Sequence, residues 1–448
     1  MAAIFGALVV CYFSWRWHLH REIHGHLAYF KAAGYPTTPV ELNTFYTAVP
    51  AGENAALLLT NAFAKLAVRD TNNPNLPLVG TAPMPGRTNT LTSARAAAVL
   101  ACLVDNAEAL RLLRVALVRP QCRYPIGLTN GWQTRLPHLA QIVSFGRLLE
   151  LEALTAAEAP LAIQSITDLF RLEATLKNEP ASISLIVRFR LRTIALRTME
   201  RLLSTHTLTD GQLASLEKLL PEVWQPADFS RAIAGEICMA REFYEIRPWQ
   251  VFGYIASFGT EADWDPDAPL KPLDTLSGSL VEVLAFQSEN YLLLIETQAA
   301  LHRASQASTP ERQPLVKAAM SQVPNVSKPR SRFQSVFWKR NKILAGMLLP
   351  SLAEIAPKDA SSLAHLRAAT LALAIERFRN AHAGALPQTL KNLVPDDLTK
   401  IPSDPSTGES LSFKRLNPGY AIFRLGSVVA EGEEQPKVDS EYLFIVER

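Results

Sequence analysis

From residue 40 to residue 360 the apolar side chains recur at three- and four-residue spacing, and that period restricts the chain to a fold built of helices. In residues 53 to 68, for example, Ala55, Leu58, Leu59, Ala62, Phe63 and Leu66 fall on one helical face. Similar faces run over residues 93 to 118, 139 to 154, 157 to 176, 182 to 203, 209 to 220, 230 to 246, 276 to 305 and 311 to 320. Thr209 and Gln212 have the spacing of a capping box, and Pro120, Pro180, Pro221, Pro248 and Pro350 mark breaks. Residues 72 to 92 and 259 to 272 read as long irregular stretches. No repeat of fixed period appears, which favours an antiparallel array over a solenoid. The predicted fold class is therefore mainly α, an antiparallel helical array or bundle, with a small α+β module at the C-terminus.

That module is read from the tail. A helical pattern over residues 361 to 382 runs into LPQTLKNLVPDDLTKIPSDPSTGESLSFKRLNPGYAIFRLG. This implies a Leu-Pro turn, a short amphipathic turn around Leu390 and Leu393, a loop punctuated by Pro, Asp and Gly, and two or three short strands ending at Glu447. Leu386, Leu390, Leu393, Phe413, Tyr420, Ile422 and Phe444 are its predicted core. With 448 residues the chain has room for several domains, and we divide it into 1–30, 31–340 and 341–448.

Residues 2 to 15 form an uncharged, largely apolar run, followed by Arg16, Trp17, Arg21 and the histidines His18, His20, His24 and His26. The run is short against the roughly 20 residues a membrane crossing requires. Its flanking aromatic residues nevertheless suit a membrane interface, and neither a preceding basic residue nor a small-x-small site marks it for cleavage. The expectation is a membrane partner for the N-terminal segment: a single-pass anchor with the body outside the cytoplasm, in the periplasm. A buried helix end is the alternative. Positive charges after the run pull toward the opposite orientation. The net charge of +3, with acidic and basic residues interspersed, offers no field that would hold a nucleic acid.

Several local groupings imitate sites. Asp263, Asp265, Asp267 and Asp274 approach the spacing of a calcium loop, but Ala268 stands where glycine is needed and Pro266, Pro269 and Pro272 stiffen the segment. His20 and His24 share a helical face, yet two ligands do not make a metal site, and they read as interfacial residues. Gly80 and Gly86-Arg87-Thr88 lack the lysine and spacing of a phosphate loop and read as a linker. Cys11, Cys102, Cys122 and Cys238 form neither a disulfide framework nor a metal motif, Cys102 and Cys122 being the one pair close in sequence.

The segment ISLIVRFRLRTIALRTMERLL sets Arg188, Arg190, Arg192, Arg197 and Arg201 in an apolar field. Such guanidinium groups must find partners or reach water. Glu236, Glu242 and Glu245 are the expected partners. A sharper reading makes Arg188 and Arg192, four residues apart on one stripe, an anion or peptide-carboxylate site. No catalytic signature accompanies them, so no nucleophile, base, metal or cofactor is assigned.

Two resemblances add to this. The stretches AYFKAAGYPTTPVELNTFYTAVPAGENAALLLTNAF and EPASISLIVRFRLRTIALRTMERLL, with the tail, resemble a group of bacterial proteins that carry an N-terminal hydrophobic segment and have no assigned activity. Leu386-Pro387, Leu393-Val394-Pro395, Ile401-Pro402 with Asp404-Pro405, Gly408, and the run from Tyr420 to Gly426 resemble the soluble part of the type II secretion major pseudopilin. The chain departs from that family because its apolar run near residues 343 to 355 is internal, broken by Pro350 and Glu354, and lacks the processing site. In pseudopilins the final loop can bind calcium, and Glu431, Glu433, Glu434 and Asp439 offer oxygens here without a matching motif. The resemblance implies an envelope structural or interaction component associated with secretion or pilus-like machinery. The competing expectation is a hydrolase or small-ligand binder with its pocket near Arg188, Arg192 and Glu236. Closed Arg-carboxylate pairs between helices favour the first, and a deep polar pocket favours the second.

Overall fold

The computed structural model describes residues 2–67, 72–223, 227–245, 286–321, 323, 349, 352–424 and 442–448. Among them are thirteen α-helices and one three-stranded sheet, so the mainly helical expectation holds. The first half comprises α1 (Ala2–Ala32), α2 (Pro39–Phe45), α3 (Ala55–Ala64), α4 (Ser93–Asp105), α5 (Ala107–Leu117), α6 (His138–Thr155) and α7 (Ala159–Ala174). Then follow α8 (Ser182–Thr205), α9 (Asp210–Val223), α10 (Ala227–Glu245), α11 (Phe286–Gln306), α12 (Thr309–Met320) and α13 (Ile355–Ala381).

Local chemistry explains where these helices start and stop. Thr209 and Gln212 exchange the two hydrogen bonds of a capping box, at 2.9 and 3.3 Å. The single helix expected over residues 93 to 118 is divided at Asn106. The buried Asn106 amide accepts from the Ala67 N–H at 2.9 Å and donates to the Ala67 carbonyl at 3.0 Å, tying α3's exit to the break. Pro221 does not stop α9, which continues to Val223, because a proline in the final turn removes only one intrahelical bond.

The central element is α8, which packs against α6, α7, α10 and α13 and against the sheet. Gly146 lets α6 approach it closely: a β-carbon there would lie 2.6 Å from Leu191. A polar-rich helix can occupy this position because its most deeply buried charges, Arg188 and Arg192, are paired, as described below.

The C-terminal part follows the predicted order of helix, short turn and strands. After α13 comes a 3-10 turn at Leu390–Leu393, then β1 (Ser412–Arg415), β2 (Tyr420–Phe423) and β3 (Tyr442–Val446) in an antiparallel β1-β2-β3 sheet. Phe413 faces Ile422, and Ile422 faces Phe444. Of the predicted core, Leu390, Leu393, Tyr420, Ile422 and Phe444 are buried, and Leu386 and Phe413 pack partly buried beside them. Gly419 has φ +93°, and a β-carbon there would meet the Val446 carbonyl at 1.9 Å, so the turn into β2 needs glycine. These strands and α13 belong to the same apolar cluster as helices from the first half, including Leu113, Phe145, Leu169 and Leu203. The outer edge of β3 is covered by α8: Glu200 accepts the Ile445 N–H at 2.9 Å and Ser204 the Glu447 N–H at 3.1 Å. A helix thus occupies donors that an open edge would offer to another strand.

The expected membrane anchor over residues 1–30 is corrected. No described helix is long and apolar enough to cross a membrane, which overturns the single-pass membrane localisation and the membrane partner. The physical reason is the division of α1. Its apolar run ends at Arg16, a length of about 21 Å at 1.5 Å per residue against a hydrocarbon thickness of about 30 Å. Beyond it, Leu19, Ile23, Leu27 and Phe30 are buried, and α1 packs on α11. The buried-helix alternative for the apolar run does not hold either, since Ile4, Phe5, Leu8 and Phe13 are exposed and burial begins only beyond the run. His20 is tied to the helical body: its Nδ1 bonds the Tyr244 hydroxyl at 2.8 Å.

Among the described residues no group of three His, Cys, Asp or Glu side chains could hold a metal. All four cysteines are free, including Cys102 and Cys122, and burial pushes the Cys122 thiol up to about 12. Asp263, Asp265, Asp267, Asp274, Glu431, Glu433, Glu434 and Asp439 lie outside the described residues.

Candidate functional site

The N-terminal half of α8 holds the arginines that the sequence singled out, and there they are closed in. Arg188 and Arg192 are 2% and 1% exposed. Glu173 of α7 receives Arg188 Nε at 2.7 Å, Arg192 Nε at 2.9 Å and Arg192 Nη2 at 2.7 Å. Asp228 at the start of α10 lies 2.9 Å from Arg188 Nη1 and 3.5 Å from Arg231. The expected partners are therefore corrected from Glu236, Glu242 and Glu245 to Glu173 and Asp228. Glu236 instead accepts the Ser182 N–H at 3.1 Å and the Ser182 hydroxyl, placing a carboxylate on the first turn of α8, where unpaired N–H groups favour negative charge. Glu245 pairs with Arg241 at 2.6 Å, four residues back on its own helix. Glu242 lies against Gly131, whose φ of +54° and missing side chain leave it room.

A second buried polar group joins α6 to the start of α8. His138 Nε2 lies 2.9 Å from Glu179, Ser184 donates to the same carboxylate at 2.5 Å, and Tyr124 stacks on the imidazole at 4.1 Å. A nucleophilic relay needs the hydroxyl on the imidazole, and here both bind the carboxylate, so the group ties helices together.

The C-terminal half of α8 is different, because it forms the floor of an open cleft of about 880 Å³. One wall is the 84–91 loop and α4, with Met84, Leu91 and Leu100; the end of α6 contributes Glu150 and Leu154; α13 and β3 contribute His365 and Tyr442. The loop is fixed by Arg201, which donates to the Gly86 carbonyl at 2.7 Å and to the Asn89 carbonyl. Its Gly86-Arg87-Thr88 sequence, read as a linker, thus supplies a wall and a charge.

Two carboxyl groups of this cleft are held in environments that oppose ionisation. Glu200 is 9% exposed, gives one oxygen to the Ile445 N–H, and has Arg87 Nε 3.8 Å from the other. Burial pushes it up to about 7 against the pull of Arg87, the Ile445 N–H and Arg197. Glu150 is 4% exposed, with Oε1 at 3.3 Å from Arg197 Nη2 and Oε2 buried with no hydrogen-bond partner. Burial raises it too, against Arg197 and Arg190. His365 donates from Nδ1 to the Ser361 carbonyl at 2.7 Å, and burial lowers its pKa. Carboxyl groups raised by burial in a cleft are a recognised mark of a working site.

Sequence reasoning passed over Glu150 and Glu200 and placed Arg87 in a linker. A signal existed for Glu200, since Leu196, Glu200 and Leu203 share one helical face, and an acid on an apolar stripe must be satisfied from another element. Comparison with protein families, with curated proteins and with solved structures gives no match.

Proposed function

We propose that the protein is a ligand-binding and interaction protein whose working surface is the cleft between the helical body and the C-terminal sheet. The supporting observation is the contrast within α8: Arg188 and Arg192 are enclosed by internal partners, while the cleft at Glu150 and Glu200 is open and about 880 Å³ in volume. That volume lies in the range of small-ligand pockets, and the mixture of apolar lip and charged floor is their usual lining. The small-ligand reading drawn from the sequence is thereby moved from Arg188, Arg192 and Glu236 to the other end of the same helix.

Ligand-dependent thermal stabilisation of the full chain tests this, with Thr193→Trp as the control. Thr193 is exposed and lines the cleft, so tryptophan there fills the site without entering the core. Ligands that raise the melting temperature of the parent should lose that effect in the variant. If every stabilising compound acts equally on both proteins, the cleft is not the binding surface.

A second reading, in which the C-terminal module docks onto secretion or pilus-like machinery, is favoured by the order of long helix, turn and antiparallel strands. Here α13 packs against α8, α9 and α12, and among the described residues no strand pairs with the outer edge of β1, which would be the surface for such a partner. Charge substitution at Lys414 of β1 should then abolish co-purification with a pseudopilin, and absence of any such association removes this reading.

A further inference from the structure

We infer that the cleft takes a ligand bearing a primary ammonium group on an apolar body, with the ammonium received by Glu150 Oε2 and Glu200 completing the acidic end. This rests on the cleft reading and specifies its ligand. The starting observation is an unused acceptor: Glu150 is 4% exposed, lines the cleft, and has one carboxylate oxygen buried without a partner. A buried carboxylate oxygen left unsatisfied is costly, and a charged N–H donor satisfies it best.

Each of the cleft's arginines has a partner within the protein, whereas one of its carboxylate oxygens has none, which favours a cation over an anion. Arg201 is bound to two carbonyls of the loop, and Arg197 to Glu150 Oε1. Arg87 sits between Glu200 at 3.8 Å and Glu447 at 3.6 Å. On the acidic side, Glu200 gives Oε1 to the Ile445 N–H, while Oε2 has only the distant Arg87 contact. An arriving ammonium would find Glu150 Oε2 without a partner, whereas an arriving carboxylate would share Arg87, Arg197 or Arg201 with the groups they already hold. Met84, Leu91, Leu100 and Leu154 on the neighbouring walls suit an aliphatic or aromatic body. A free amine and the N-terminus of a peptide with an apolar first residue present the same chemistry.

Isothermal titration of the full chain at pH 8 tests the assignment, using hexylamine, the tripeptide Leu-Ala-Ala, its N-acetylated form, hexanol and hexanoate. Saturable binding is expected for hexylamine or the free tripeptide, weakened tenfold or more in Glu150→Gln and by Thr193→Trp, and unaltered in Glu108→Gln, an exposed position on α5 away from the cleft. Hexylamine alone binding identifies a free amine; the tripeptide alone, with the acetylated form inert, identifies a peptide N-terminus. Amine binding unchanged in Glu150→Gln, or hexanoate binding in preference to hexylamine, overturns the assignment. If hexanol or hexanoate alone binds and Thr193→Trp blocks it, the ammonium falls and the cleft stands. If nothing binds in the parent, or binding ignores Thr193→Trp, both fall.

Discussion

The two halves of α8 carry the same kinds of residue to opposite ends. In the N-terminal half Arg188 and Arg192 converge on Glu173 and Asp228 and are shut away from solvent. In the C-terminal half Arg197, Glu200 and Arg201 stand at a cleft, and Glu150 beside them keeps an unused oxygen. The difference lies in what faces each half. α7 and α10 bring carboxylates to the first, so its cations are matched on both sides. A loop and a strand edge face the second, and they bring mostly carbonyls, amides and one arginine. A charged helix is thus structural where helices surround it and chemically available where irregular chain does.

The largest effect should come from breaking the closed half. Glu173→Leu leaves two buried guanidinium groups sharing Asp228, and urea denaturation should show a loss of about 3 to 5 kcal/mol. A loss below about 1 kcal/mol would mean that water reaches the cluster and that the two halves are not distinct in kind.

Next is the pH response of the open half. Glu200 is raised from 4.5 to about 7 by burial. Below about pH 4.5 it is protonated both folded and unfolded, and its contribution to stability is present in full. As pH rises through 7 the unfolded chain has already ionised while the folded chain must ionise a buried group, so that contribution is lost. The window is worth on the order of 3 kcal/mol. Glu200→Gln keeps the acceptor for the Ile445 N–H and should flatten the stability profile between pH 5 and 8, measured by denaturation at each pH. A parent profile already flat there would place Glu200 in solvent.

The smallest effect sharpens the contrast. Thr193→Trp, facing the cleft from an exposed position, should leave stability within about 0.5 kcal/mol. Arg192→Met, one residue earlier but in the closed half, should cost several times more, because it takes one of two guanidinium groups from Glu173.

Much of the fold was legible because its signals are local. The capping box at Thr209, the turn at Leu390 and Leu393, and the strand core of Tyr420, Ile422 and Phe444 all appear where the sequence places them. The misreadings share a cause as well. Asn106 interrupts a helical pattern because its amide reaches Ala67, 39 residues away. The apolar start of α1 suggested a membrane because nothing nearby in sequence shows that Ile23 and Phe30 pack on α11. The candidate site was least legible of all. Glu236 was paired with the wrong group because its real role, at the first turn of α8, depends on how two helix ends meet.

The sequence by itself determined that this protein is an array of helices with a short terminal sheet, since helical and strand periods are set by neighbours a few residues apart. Only the tertiary structure decided which charges are closed and which remain available. Glu200 finds the Ile445 N–H at a separation of 245 residues, and Arg201 finds the 84–91 loop at a separation of 115. Burial and pairing at such distances fix the ionisation of a carboxyl group, and they are properties of the packing of elements that no local pattern encodes.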